Sequence, residues 1–313
     1  MSKHYLALSG GVGGAKLADG LAQLLPPEQL TIAVNVGDDF EHLGLPVWPD
    51  LDTVLYTLAG KANPELGWGR AGESWGVMEE LRALGAPDWF LLGDKDVALH
   101  LLRRHLLEEG LSHSEVAVQL ARSLGVEHQV APVTDQPLRT LVDTDEGRLE
   151  FQRYFVGRRA EPILKGLTYA GAEQARLSPA VAAALQHPQL AGIIICPSNP
   201  YLSVMPMLAI PGFREALQSS PAPVIAVSPI VGGVALKGPA AKIMQELGVE
   251  PRATITADLY GDFVDLSLID TTDAAIAEGV SGVAVAPTVM RTREDRRALA
   301  DTCLQALQSL QQG

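Results

Sequence analysis

Apolar residues fall in short unbroken runs along this chain: residues 4–8, LTIAVN at 30–35, GIIIC at 192–196, PVIAVS at 223–228 and SGVAV at 281–285. Between many of them lie stretches whose apolar positions recur at helical spacing, at 14–25, 112–124, 212–218 and 238–247, with a final helix at roughly 292–311. A strand covered on one face alternates apolar with polar residues, whereas a strand covered on both faces has no reason to. Runs of Val and Ile separated by helices therefore predict a parallel sheet of the doubly wound α/β class. Ser112, with Glu115 three positions on, predicts the capped start of one of these helices. The stretch 132–170 breaks the pattern: it alternates in RLEFQRYFV and carries Pro132, Pro137 and Pro162. An antiparallel insertion or small second lobe, about 132–185, is expected there, within one domain whose core takes in about 1–131 and 186–313.

Composition narrows the partners. A formal net charge of −13 and a pI near 5.0 argue against nucleic acid or an anionic membrane surface. No 18-residue apolar span or secretory leader is visible, and the two cysteines, Cys196 and Cys303, suit a reducing cytoplasm. Cys196 ends an apolar run and reads as a buried strand residue, and the histidines have no metal-ligand spacing. Arg291, Arg293, Arg296 and Arg297 on the last helix read as a solvated face.

The chemistry gathers in three places. YLALSGGVGGAKLADGL at 5–21 runs from strand through glycines into a helix, placing free backbone N–H groups beside a helix N-terminus, which attracts phosphate. Gly10, Gly11, Gly13 and Gly14 are the candidate cradle, with Lys16 close by. It is not a P-loop, because Ala15 precedes Lys16 and Leu17 follows it, nor a dinucleotide fingerprint, whose third glycine would replace Lys16. CPSNP (196–200), SPIVGG (228–233) and KGPA (237–240) are further polar or glycine-rich turns. In a parallel sheet such turns share one edge, where nucleotides bind.

The second place is acidic. NVGDDF supplies Asp38 and Asp39, and PDLDTVLY supplies Asp50 and Asp52. Two carboxylate pairs beside a phosphate pocket suit Mg²⁺, although aspartates in a first helical turn also serve as caps. The third is GWGRAGESWG (67–76) followed by WFLLGDKD (89–96), which holds three of the four tryptophans. Trp68 and Trp75 among glycines suggest either stacking on a flat ring or a loop anchored by buried indoles. Asp94, Lys95 and Asp96 read equally as ligand contacts or as a solvated cluster.

Taken as an ordered set, SGGVGGAKL, NVGDD, PDLDTVLYTL, GWG…SWG, WFLLGDKDVALHLLR, PVTDQPLRT, FQRYFVGRR, PSNPYLSVMPMLAIPG and AVSPIVGGVALKGPAAKIM resemble the 2-phospho-L-lactate transferase (CofD-like) family, which includes bacterial phosphoenolpyruvate-using transferases. The resemblance implies a Rossmann-like core with a smaller α+β lobe, a homodimer, and a magnesium-dependent step in biosynthesis of the deazaflavin coenzyme F420. The donor would be a guanosine diphosphate ester of a three-carbon acid, 2-phospholactate or phosphoenolpyruvate. The acceptor would be the deazaflavin Fo, whose terminal ribityl hydroxyl attacks phosphorus and releases GMP.

Carried onto this chain, the resemblance puts nucleotide along Gly10–Lys16, Ser198, Asn199, Pro200, Ser228 and Gly238. It puts metal and catalysis at Asp38, Asp39, Asp50 and Asp52, and deazaflavin against Asp52, Trp68, Trp75 and Lys95. The family pattern has arginine where Lys95 stands, and lysine offers no planar two-pronged contact. Two alternatives stand beside this reading. A sugar-nucleotide-binding regulatory protein of the gluconeogenesis-factor type would share the glycine turn without turnover, but lacks the Trp-rich and GDKD segments. A nicotinamide-dependent oxidoreductase is weakened by the missing third glycine and by Asn35–Gly37, not a lone acid, after the second strand.

Overall fold

The structure is a computed structural model and describes residues 2–65, 67–235 and 238–312. Seven strands form one sheet: β1 (His4–Ser9), β2 (Leu30–Val34), β3 (Gln129–Pro132), β4 (Leu190–Ile195), β5 (Val224–Val227), β6 (Leu266–Asp270) and β7 (Val283–Ala286). Their spatial order is β7-β6-β5-β4-β1-β2-β3, and every neighbouring pair is parallel. The order reverses between β1 and β4, so a crevice opens past the carboxyl ends of these two strands. Leu8 pairs with Ile195 there, and Ser9 with Val34.

The unbroken apolar runs have the expected cause. Tyr5 and Ala7 enter one core layer while Leu6 and Leu8 enter the other, and Ile194 faces the first while Ile193 and Ile195 face the second. The first layer packs under α1 (Gly11–Ala22), α2 (Pro49–Leu58), α5 (His113–Leu124) and the C-terminal helix Arg293–Gln312, through Leu17, Val54, Leu120 and Leu299. The second packs under shorter helices through Val181, Phe213 and Tyr260. Two more helices, α3 (Gly76–Ala83) and α4 (Asp94–Glu108), lie between α2 and α5 in sequence.

Three strands within residues 139–170 make a separate antiparallel sheet, with Arg139–Thr144 between Gly147–Glu150 and Leu164–Ala170. Its small core, including Val142, Phe151 and Tyr154, also takes in Leu202 from the turn after β4 and Ile243 from the helix Ala240–Glu246.

Two expectations change. The first helix starts at Gly11 rather than at residue 14, with Gly10 as its cap. The arginines of the last helix are not all a solvated face. Arg293 and Arg296 reach the buried Asp19 of α1, at 3.5 Å and 3.2 Å, and Arg291 lines the main cavity.

Candidate active site

A cavity of about 840 Å³ fills the crevice between β1 and β4. It has a polar end and an aromatic end. Gly10, Gly11, Gly13, Lys16, Asp38, Asp50, Ser198 and Asn199 line the polar end, and Ser228 and Gly238 also belong to the lining. Trp68, Trp89, Phe90, Phe151, Gln152 and Phe155 line the aromatic end.

The polar end is built by mutual bracing. Asp50, in the first turn of α2, accepts the Gly11 N–H at 2.7 Å and the Asn35 side-chain amide at 2.9 Å. The Asn35 oxygen in turn accepts the Gly37 N–H at 2.9 Å, which fixes its orientation. Ser198 Oγ accepts the Gly10 N–H at 3.1 Å, and Asn199 caps the turn after β4 by accepting from Tyr201 and Leu202. Two amides of the glycine turn are thus already occupied by side chains. The amides of Val12 and Gly13, also in the first turn of α1, have no partner within a helix. Lys16 reaches across to donate to the Met290 carbonyl at 2.8 Å, joining α1 to the segment after β7.

The glycines divide by role. A Cβ on Gly13 would lie 2.3 Å from the Pro197 carbonyl oxygen, and one on Gly14 would crowd Ser9 and Ser198. These two, with Gly10 against Ser203, permit close packing of the chain on itself. Gly11 is different: its φ is +62° and the space beside it is open.

The four aspartates do not form one cluster, and among the described residues no three His, Cys, Asp or Glu side chains gather to hold a metal ion. Asp38 and Asp50 line the cavity; Asp39 and Asp52 are buried outside its lining. Burial, with Asp50 and Asp39 adding to it, holds the Asp38 carboxyl well above the usual range. Burial also lifts Asp50 to about 6, against the hydrogen bonds from Asn35 and Gly11 that pull it down. One oxygen of Asp38 is buried without a partner. A hard cation held by one or two carboxylates and completed by substrate phosphates fits this pair.

Asp52 serves elsewhere. It pairs with the fully buried Arg103 of α4, which also donates to the Pro46 carbonyl at 2.9 Å and lies 4.3 Å over the Trp48 ring. Asp39 keeps one oxygen unpartnered; burial raises its carboxyl well above the ordinary range, and Arg139 and Arg103 offset part of that rise.

The Trp-rich and GDKD segments brace each other. Glu73 accepts the Lys95 and Asp96 N–H groups at the start of α4, and Asp94 accepts from Gly76 and Val77 at the start of α3 and from the Ser74 hydroxyl. The start of each helix is thus capped by a side chain from the segment that opens the other. Lys95 is exposed and donates to the Gly72 carbonyl; neither it nor Trp75 lines the cavity. Pro200 is buried outside the lining as well. Lys237 of the KGPA turn lies outside the described residues.

Trp68, 46% exposed, and Trp89 are the indoles on the cavity. Trp89 packs among Phe40, His42 and Phe90, with the Arg153 guanidinium 4.0 Å over its ring. Phe151 and Phe155 stack in parallel, 5.5 Å apart. Neither the wall from Phe151 to Phe155 nor the lining by Thr288–Arg291 was marked by composition; the one signal was aromatic spacing within FQRYFV.

The model for the family "2-phospho-L-lactate transferase CofD" matches residues 6–299. A 2-phospho-L-lactate transferase of Methanosarcina mazei is 35% identical, covering 96% of this chain and 99% of the relative. A phosphoenolpyruvate transferase of Kitasatospora aureofaciens is 38% identical and covers 99% of both, and one from Mycolicibacterium smegmatis is 37% identical over 93% of this chain and 95% of the relative. The crystal structure of a UPF0052-family protein from Bacillus halodurans superposes with a TM-score of 0.63, covering 97% of this chain and 99% of that one; at 17% identity this likeness concerns the fold. No helix among the described residues is long and apolar enough to cross a membrane. The chain belongs to the 2-phospho-L-lactate transferase (CofD) family, of coenzyme F420 biosynthesis, and is a transferase.

Proposed function

We propose that this protein moves a 2-phospholactyl or enolpyruvyl-phosphate group from its guanosine diphosphate ester to the terminal ribityl hydroxyl of Fo. The new P–O bond forms at the phosphorus bearing the three-carbon acid, and GMP leaves with the bridging oxygen. The observation that carries this reading is the division of one cavity into an amide- and carboxylate-lined end and an aromatic end. A diphosphate and a flat ring would meet at the junction between them.

In this reading the free amides of Val12 and Gly13, backed by the α1 dipole, take diphosphate oxygens. Asp38 and Asp50 would hold Mg²⁺, which when bound would supply positive charge to the phosphates. Asn35 keeps Asp50 turned toward Gly11, so the carboxylate is oriented before substrate arrives. Trp68, Trp89 and Phe155 flank the ring and exclude water from it. In a loose phosphoryl transition state the attacking hydroxyl needs positioning more than a strong base.

The test is incubation of purified protein with Mg²⁺, Fo and each of the two donors. GMP release, together with a deazaflavin gaining the mass of the phosphorylated acid, is expected, and competing donors in one mixture identify the acid. Nucleotide binding with no turnover of either donor would replace this proposal with the regulatory alternative. A homodimer belongs to the same proposal and is checked by light scattering in solution.

A further inference from the structure

Gln152 stands on the aromatic wall of the cavity and is only 6% exposed. Its neighbours on that wall are Phe151, Phe155, Val156, Trp89 and Phe90. Among the described residues no protein group pairs with its side-chain amide, whose N and O open onto the cavity rather than being sealed in the core. The contrast with Asn35 is direct, since that buried amide donates to Asp50 and Leu202 and accepts from Gly37. A carboxamide carries two donors and an acceptor with two lone pairs, and one that faces the cavity without a protein partner leaves them for a ligand, as a leucine in the same place could not. An apolar wall alone would hold a flat ring by burial, with nothing to fix which edge points inward.

We propose that Gln152 is an acceptor-binding residue that reads the imide edge of the deazaflavin ring, its C=O accepting the ring N–H and its NH₂ donating to an adjacent ring carbonyl. This rests on the proposed acceptor. The pairing turns the ring about its own plane until the ribityl chain runs toward Asp38 and Asp50. A site built to hydrogen-bond a substrate group rejects analogues lacking it far more strongly than an apolar pocket rejects an extra methyl.

The test combines Gln152→Leu and Gln152→Glu with Fo and with Fo methylated at the imide nitrogen. Fluorescence titration of wild type is expected to give about tenfold weaker binding of the methylated ring. In Gln152→Leu, Fo is expected to bind about tenfold more weakly than in wild type, with methylation adding no further loss. The acceptor KM should rise in both variants while the donor KM stays at the wild-type value, which also shows that the fold is intact. Equal Fo affinity in wild type and Gln152→Leu, in an enzyme that turns over, overturns the role of Gln152 alone. A rise in donor KM in place of acceptor KM overturns it too, by assigning the amide to the guanine edge. A wild-type protein that binds no Fo removes the proposed function and this inference together.

Discussion

Asp50→Asn separates the energetics of the ligand-free site from its chemistry. The Asp50 side chain is 4% exposed and accepts from Gly11 and Asn35. Burial lifts its carboxyl from an ordinary 3.8 to about 6. The neutral form is therefore favoured in the fold: the group's contribution to stability is complete below pH 3.8 and is lost as pH rises through about 6. At about 1.36 kcal/mol per pKa unit, ionising Asp50 costs the empty fold about 3 kcal/mol at pH 8 and about 1 kcal/mol at pH 4.5. Asparagine removes that loss. It brings its own NH₂ against the Asn35 NH₂, which cannot turn away because the Asn35 oxygen holds Gly37; this costs about 1 kcal/mol at either pH. The variant should thus gain about 2 kcal/mol on wild type between pH 4.5 and pH 8, ending the more stable protein at the alkaline end. Loss of Asp50 charge also relieves Asp38, in the same direction. Urea unfolding of both proteins, without metal or nucleotide, measures the difference. A stability difference that stays constant between the two pH values would refute the buried-charge reasoning, whatever happens to activity.

Three further outcomes follow from the geometry. Gly13→Ala drives a methyl to 2.3 Å from the Pro197 carbonyl oxygen, so the fold should lose about 1–3 kcal/mol by denaturant titration and the donor KM should rise as α1 moves off the turn. Arg103→Met strands Asp52 as a buried charge and should cost about 3–5 kcal/mol, whereas pairing it with Asp52→Asn should recover most of the loss in the same unfolding assay. Trp68→Ala should weaken Fo binding by roughly 1–3 kcal/mol in a fluorescence titration, and Trp75→Ala, at a position off the cavity, should leave that affinity unchanged.

The class of the fold was legible because a strand buried on both faces has to read as an unbroken apolar run, as LTIAV and GIII do. Two strands of the same sheet escaped notice. QVAP ends in a proline and LSLID is broken by Ser267, and both are too short to stand out without their neighbours. The glycine turn was legible as a turn, but residue type alone does not separate Gly11, whose positive φ faces open space, from Gly13, which makes room for a carbonyl. Among the aspartates, spacing put Asp50 and Asp52 together, yet two residues along a helix turn through about 200°, so one meets Gly11 and the other meets Arg103. The Glu73 and Asp94 caps span some twenty residues, and no local rule finds a cap supplied from so far away.

Asp19 bound by Arg293 and Arg296 and Gly20 tight under the Arg296 carbonyl fasten the first helix to the last, and Lys16 ties it to Met290 just ahead of that last helix. During synthesis, then, the helix that carries the glycine turn waits for partners made about 270 residues later before this side of it is covered. The phosphate cradle thus leans on contacts that span most of the polypeptide.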